Sequence, residues 1–219
     1  HGLETARGEF VLVLDADFVP GPDLLRALLP PLQDEEVGMV QAAWGHLNRE
    51  QNWLTDAQSY LLDGHFLFEQ GGRYRGGRFF NFNGTAGIWR KQCLIDAGGW
   101  QADTLTEDLD VSYRAQLAGW RFVYREDVAC PSELPADANA FLNQQHRWAK
   151  GGIQTARKLL GSVLRSKRVS LGAKIEAGFH LLSNLAFVLL LGVIVTALPL
   201  HALRWALDRD PPALLGWFE

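Results

Sequence analysis

Asp15-Ala16-Asp17 follows directly on the apolar run Phe10-Val11-Leu12-Val13-Leu14. Two carboxylates one residue apart on a turn can share a divalent cation and leave its remaining positions to phosphate oxygens. A surface turn closed by Pro20 and Gly21 accounts for the same pair, so the motif alone leaves both readings open. Thr106-Glu107-Asp108 opens a helical stretch that runs to Gly119. Thr106 suits an N-cap, and acids in a first turn sit favourably against the helix dipole. Either acid could equally take a proton from a substrate hydroxyl as a general base. Gln144-Gln145-His146-Arg147-Trp148 gathers an amide, a guanidinium and a large ring. The Arg suits a diphosphate, whose oxygens it engages two at a time, and the Trp offers a flat face to a sugar ring. An interfacial Trp beside a snorkelling Arg reads the same way at a membrane edge.

Positioning such groups needs a packed scaffold, and the composition allows one. The chain has 219 residues, 47% hydrophobic and 21% charged, with a net charge of -4. That balance excludes a disordered chain, and the acidic sign argues against a general nucleic-acid binder. Two cysteines far apart, Cys93 and Cys130, exclude a disulfide framework and read as reduced core thiols. The run at 10–14 predicts a strand buried on both faces of a largely parallel sheet. A short helix is predicted at 23–29, a strand at 37–43, and a helix at 54–69 with Leu54, Ala57, Tyr60, Leu61 and Phe68 as its apolar stripe. Four glycines and two arginines at 71–77 predict a flexible loop. A helix at 107–118 and a strand at 120–124 complete an alternating α/β pattern.

The C-terminal third differs. Residues 177–200 contain no Asp, Glu, Lys or Arg, enough apolar length for a membrane span expected over 175–200. Lys150, Arg157, Lys158, Arg165, Lys167, Arg168 and Lys174 precede it, with no acid between 149 and 175. Positive flanks face the cytoplasm, so the body of an integral membrane protein would be cytoplasmic, with 201–219 as an outer loop or the start of another membrane segment. Ile153, Ala156, Leu159, Leu160, Val163 and Leu164 recur at helical spacing. They predict a basic amphipathic helix over 149–174 lying in the membrane interface.

Taken in order, Asp15-x-Asp17, Phe82-Asn83-Gly84-Thr85-Ala86-Gly87-Ile88-Trp89-Arg90, Thr106-Glu107-Asp108 and Gln144-x-x-Arg147-Trp148, followed by an apolar span, carry a family resemblance. The chain resembles the processive, inverting glycosyltransferases of family 2, and most of all the cellulose-synthase-like A mannan and glucomannan synthase branch. Ala97-Gly-Gly-Trp100 and Glu133-Leu-Pro135 are similar to the same branch. The resemblance implies a GT-A (Rossmann-like) domain over 1–148, a UDP- or GDP-hexose donor, Mg²⁺ or Mn²⁺, and a glycan acceptor at a membrane. On that basis Asp15 and Asp17 would hold the metal, Asp108 would be the base and Glu107 would support it. Gln144 and Arg147 would bind diphosphate. Trp148, Phe82, Asn83, Gly84 and Thr85 would line the acceptor. Transfer of one sugar to a lipid, or a silent membrane scaffold, are the alternatives. The opening at His1 without Met, and the lack of the family's upstream donor-pocket residues, predict an N-terminally truncated and inactive chain.

Overall fold

The computed structural model describes residues 2–206, and the chain divides after Leu181 into two units. The first starts with one helical turn, α1 (Gly2–Thr5), and enters β1 (Phe10–Val13). α2 (Leu24–Leu28) and a 3₁₀ turn at Pro30–Gln33 lead into β2 (Val37–His46). α3 (Trp53–Gly64) continues through a π-helical turn, His65–Gln70, into α4 (Gly71–Arg75) and on to β3 (Gly87–Arg90). α5 (Lys91–Asp96) and α6 (Glu107–Ala118) precede β4 (Arg121–Ser132), and α7 (Ala138–Arg165) and α8 (Leu171–Leu181) follow it.

The sheet runs β1-β3-β2-β4. β3 is antiparallel to both neighbours, while β2 and β4 are parallel. Alternate residues of β2 serve opposite faces: Met39 joins Phe80, Phe82, Trp89 and Phe122, whereas Val40 joins Leu24, Leu28 and Ile88. The strand predicted at 10–14 forms, but its setting differs. It pairs antiparallel at the sheet edge among the described residues, so Phe10 and Leu12 on one face and Val13 on the other stay only half-buried.

Three further expectations are corrected. The stripe on the 54–69 helix is turned outward, with Tyr60, Leu61 and Phe68 exposed, while Thr55, Gln58 and Ser59 are buried. Polar bonds decide that face: Asn52 and Thr55 cap α3 reciprocally, and Gln58 Nε2 donates to the Pro135 carbonyl at 2.8 Å. The glycine-rich 71–77 segment is largely helical, because Arg73 pairs with Glu176 at 2.7 Å and Arg75 with Glu126 at 2.5 Å. The helix predicted over 149–174 begins at Ala138, capped by Asp137, so the boundary expected after Trp148 falls inside α7. Its face Ala156, Leu159 and Val163 is buried against Tyr113 and the α8 residues Ala173, Ala177 and Leu181, leaving Ile153 and Leu164 exposed. Both cysteines are buried free thiols.

The second unit contains α9 (Leu185–Ala206). Within it, Leu185–Trp205 has a mean hydropathy of 2.3 and is long and apolar enough to cross a membrane. The span expected over 175–200 therefore starts later, since 175–181 belong to α8. The outer segment expected at 201–219 lies mostly outside the described residues.

Candidate active site

A loop at 80–86 joins the elements that bear the acids. Its backbone is bonded on every side by buried side chains. Gln41 Nε2, fully buried in β2, donates to the carbonyls of Ala42, Thr85 and Ala86 at 2.8, 3.0 and 3.2 Å. Gln41 Oε1 accepts the Asn83 N–H at 3.0 Å. From α6, Ser112 Oγ accepts the Phe82 N–H at 2.9 Å and Gln116 bonds both backbone groups of Phe80. Thr85 Oγ1 accepts the Asp15 N–H at 2.8 Å, which ties the end of β1 to the loop. Gly84 has φ +84°, and a Cβ there would sit 3.3 Å from Asp108 Oδ2. Glycine thus fits both the left-handed backbone and the close approach of the carboxylate. Ala86, at φ +55°, holds a strained conformation that the Gln41 bonds stabilise.

α6 presents Glu107 and Asp108 in its first turn. Thr106 occupies the N-cap position, but its hydroxyl does not cap the helix; it faces Thr155 Oγ1 of α7 at 3.2 Å. Gln154 accepts the Leu105 N–H at 2.9 Å, and a Cβ on Gly151 would fall 2.5 Å from the Thr106 methyl. The start of α6 is thus docked against α7, which carries Gln144, Arg147 and Trp148. Lys158 adds ion pairs to Asp103 and to the fully buried Asp110, both at 2.8 Å.

These elements enclose a cleft of about 210 Å³. Asp15, Asp17, Asn83, Gly84, Glu107, Asp108, Gln144, Arg147 and Trp148 all line it. Burial pushes the Asp108 carboxyl up to about 7, opposed by the Leu109 N–H and reinforced by the neighbouring Glu107. Asp15 is raised too, by burial first and then by Asp17 and Glu107. Carboxylates that share a cleft with Arg147 suit a cation and an anion bound together.

Two of the expected residues lie elsewhere. Phe82 is fully buried, edge-on to Trp89 and Trp100, and Thr85 is buried beneath Asp15. They shape the loop from below. Sequence reasoning did not find Phe18, Trp44, Ser132 or Leu134, which line the cleft, nor Gln41, which organises it. Trp44 and Ser132 come late in the parallel strands β2 and β4, where ligands of α/β sheets gather, and that rule could have found them.

A family model described as "Glycosyltransferase like family 2" matches residues 1–151. The chain belongs to glycosyltransferase family 2. Among curated family 2 relatives, glucomannan 4-beta-mannosyltransferase 1 of Oryza sativa subsp. japonica is 43% identical over 173 residues, 78% of this chain and 33% of that protein. Glucomannan 4-beta-mannosyltransferase 2 of Arabidopsis thaliana is 43% identical over 168 residues, 76% and 32% of the two chains. This chain therefore spans about a third of the relatives it matches. A solved mannosyltransferase from Pyrobaculum calidifontis, in complex with GDP-Man and Mn²⁺, covers 96% of this chain and 59% of its own at a TM-score of 0.59 and 19% identity. That likeness establishes the fold as the GT-A type.

Proposed function

We propose that this family 2 chain carries the reacting cleft of a membrane glycosyltransferase that moves a hexose from a nucleotide-diphosphate sugar onto a growing β-linked glycan. The solved mannosyltransferase neighbour, in complex with GDP-Man, supports a GDP-hexose donor. The observation that carries the reading is Asp108, a carboxyl held near neutrality in the same cleft as Asp15, Asp17 and Arg147. A carboxyl of that strength is about half ionised near pH 7, poised both to accept a proton from a hydroxyl and to release it again. As Asp108 takes the proton, the acceptor oxygen bonds the anomeric carbon, the bond to the diphosphate breaks, and the configuration inverts.

The donor set suits a hard divalent cation: Asp15 and Asp17 offer carboxylate oxygens, and no group of three ligating residues converges among the described residues. Mg²⁺ or Mn²⁺ there would take its other ligands from diphosphate and water. When bound, the cation neutralises the leaving diphosphate. Gln144 and Arg147 meet the diphosphate, and Trp148 and the 83–84 edge meet the acceptor, with Phe82 and Thr85 supporting that edge. Glu107 acts on Asp108 through its charge. The basic flank at 150–174 supports a cytoplasmic catalytic unit, with α9 as the span.

The test uses the full-length protein in membranes with a panel of GDP- and UDP-sugars and a β-manno-oligosaccharide acceptor. Nucleotide release from one donor, dependent on a divalent cation and lost in Asp108→Asn, is the expected result, with polymeric product. Release that survives Asp108→Asn, or release from no donor, overturns the reading. A product of one sugar on lipid overturns its polymer part.

A further inference from the structure

The π-helical turn His65–Gln70 sets an imidazole beside the cleft that the chemistry above does not use. Such turns disturb the α ladder and recur at functional positions. His65 Nε2 lies 3.2 Å from Asn83 Oδ1, and His65 Nδ1 lies 3.0 Å from Glu69 Oε2. Both ring nitrogens therefore face acceptor oxygens, and Nε2 is the one that meets Asn83. Glu69 is fixed in turn, with Arg73 Nη1 at 3.6 Å; His65 first, and then Arg73, hold its carboxyl below the ordinary range.

The orientation of the Asn83 amide follows from its neighbours. Asn81 Nδ2 donates to the Phe82 carbonyl at 3.2 Å, which identifies the nitrogen end of the Asn81 amide. That nitrogen also donates to Asn83 Oδ1 at 2.9 Å. Asn83 Oδ1 thus receives two donors, from Asn81 and His65. Turned by half a rotation, Asn83 would set its own N–H groups against both. Its backbone N–H is already committed to Gln41. What remains is Asn83 Nδ2, buried and without a partner among the described residues, on a residue that lines the cleft. An unpaired buried donor is costly, and a ligand oxygen would satisfy it.

We propose that His65, backed by Glu69, is a positioning residue that locks Asn83 so that the amide N–H meets the acceptor glycan through one of its hydroxyl oxygens. The inference rests on the acceptor reading of this cleft given above. His65 acts through Asn83 and touches no reacting atom. Its signature is therefore a change in acceptor affinity that Asn83 transmits.

The experiment measures kcat and the KM of donor and of a β-manno-oligosaccharide acceptor for the full-length protein in membranes. His65→Ala is expected to raise the acceptor KM by about tenfold, the scale of one well-made hydrogen bond, with kcat and donor KM changing by less than about twofold. His65→Gln, whose amide N–H can reach Asn83, restores most of the loss. The double variant with Asn83→Ala is no worse than Asn83→Ala alone. Glu69→Gln, a milder change, raises the acceptor KM by about threefold and guards against misfolding of the alanine variant. Multiplying effects in the double variant, or equal losses in kcat and both KM values without rescue by Gln, overturn the proposal. Wild-type membranes that release no nucleotide contradict the acceptor reading itself. Oligosaccharide binding, followed by the fluorescence of Trp44 and Trp148, then decides the role of His65: a loss of about tenfold in His65→Ala supports it, and unchanged binding overturns it.

Discussion

The two walls of the cleft are built by different means. On one, the 80–86 loop has its backbone bonded to Gln41, Ser112 and Gln116 before any ligand arrives, Thr85 of the loop accepts the Asp15 N–H, and Ser112 links the loop to the Asp108 carbonyl. On the other, α7 itself is firmly docked through Gly151 and Thr155, yet the side chains of Gln144 and Arg147 have no hydrogen-bond partner among the described residues. Trp148 is 38% exposed. On the proposed reading the prebuilt wall carries the base, whose charge would have to be in place at the transition state, where preorganisation counts most. The open wall carries groups that an arriving anion or sugar ring can order. On that reading rigidity is spent on the base, and adaptability is left to binding.

Asp108→Asn breaks the first wall chemically while keeping its shape. Transfer should fall by about 10³-fold or more, the scale of a lost general base. Stability should move the other way. Burial pushes the folded carboxyl up to about 7 from an ordinary value of 3.8, so the folded state binds the extra proton between those values. Stability is therefore lost as pH rises through that window, and the loss is complete above about 7. At pH 8 the Asn variant should melt no lower than the wild type, and any gain should vanish below about pH 4. The wild-type rate should rise through neutrality for the same reason. A pH-independent rate, or an Asn variant that melts well below wild type at pH 8, would assign Asp108 a structural role.

Gly151→Ala attacks the joint between the walls. The new Cβ would meet Thr106 atoms at 2.5 to 2.8 Å, including the backbone nitrogen at 2.7 Å, so α7 has to shift. A displacement near 1 Å should cost about 10²-fold in rate. Gly161→Ala is the control on the same helix. There the near neighbour is the flexible end of Arg165, at 3.2 Å, and an alanine in a helix interior should stabilise by about 0.5–1 kcal/mol. Equal rates for the two variants would show that the docking of α7 on Thr106 does not set the cleft.

Much of this cleft was legible in the sequence because its acids sit at element ends, at the close of β1 and in the first turn of α6, where local pattern marks the boundary. Gln144, Arg147 and Trp148 share a short stretch of one helix, so spacing alone brings them together. Gln41 was not legible. A glutamine inside an apolar strand gives no sign that two carbonyls and a backbone N–H of a distant loop converge on it. Phe82 failed for a related reason, since an irregular loop has no period to say which side chain turns inward. The outward stripe of α3 reflects capping and amide bonds to residues 77 or more positions away, and the antiparallel setting of β1 depends on strand order, which is equally non-local.

The open wall is tested by Arg147→Lys. The charge survives, but the planar fork that can bind two phosphate oxygens is lost. Because the guanidinium is not used by the fold, the melting temperature should not change. The donor KM should rise by about fivefold to tenfold, the scale of one charge-assisted bond, with kcat falling by less than about threefold. That split is the reverse of the one expected for Asp108→Asn, which removes rate and spares binding. A fall in kcat on the Asp108→Asn scale would place Arg147 among groups that must be fixed before reaction, and the division of labour between the walls would then fail.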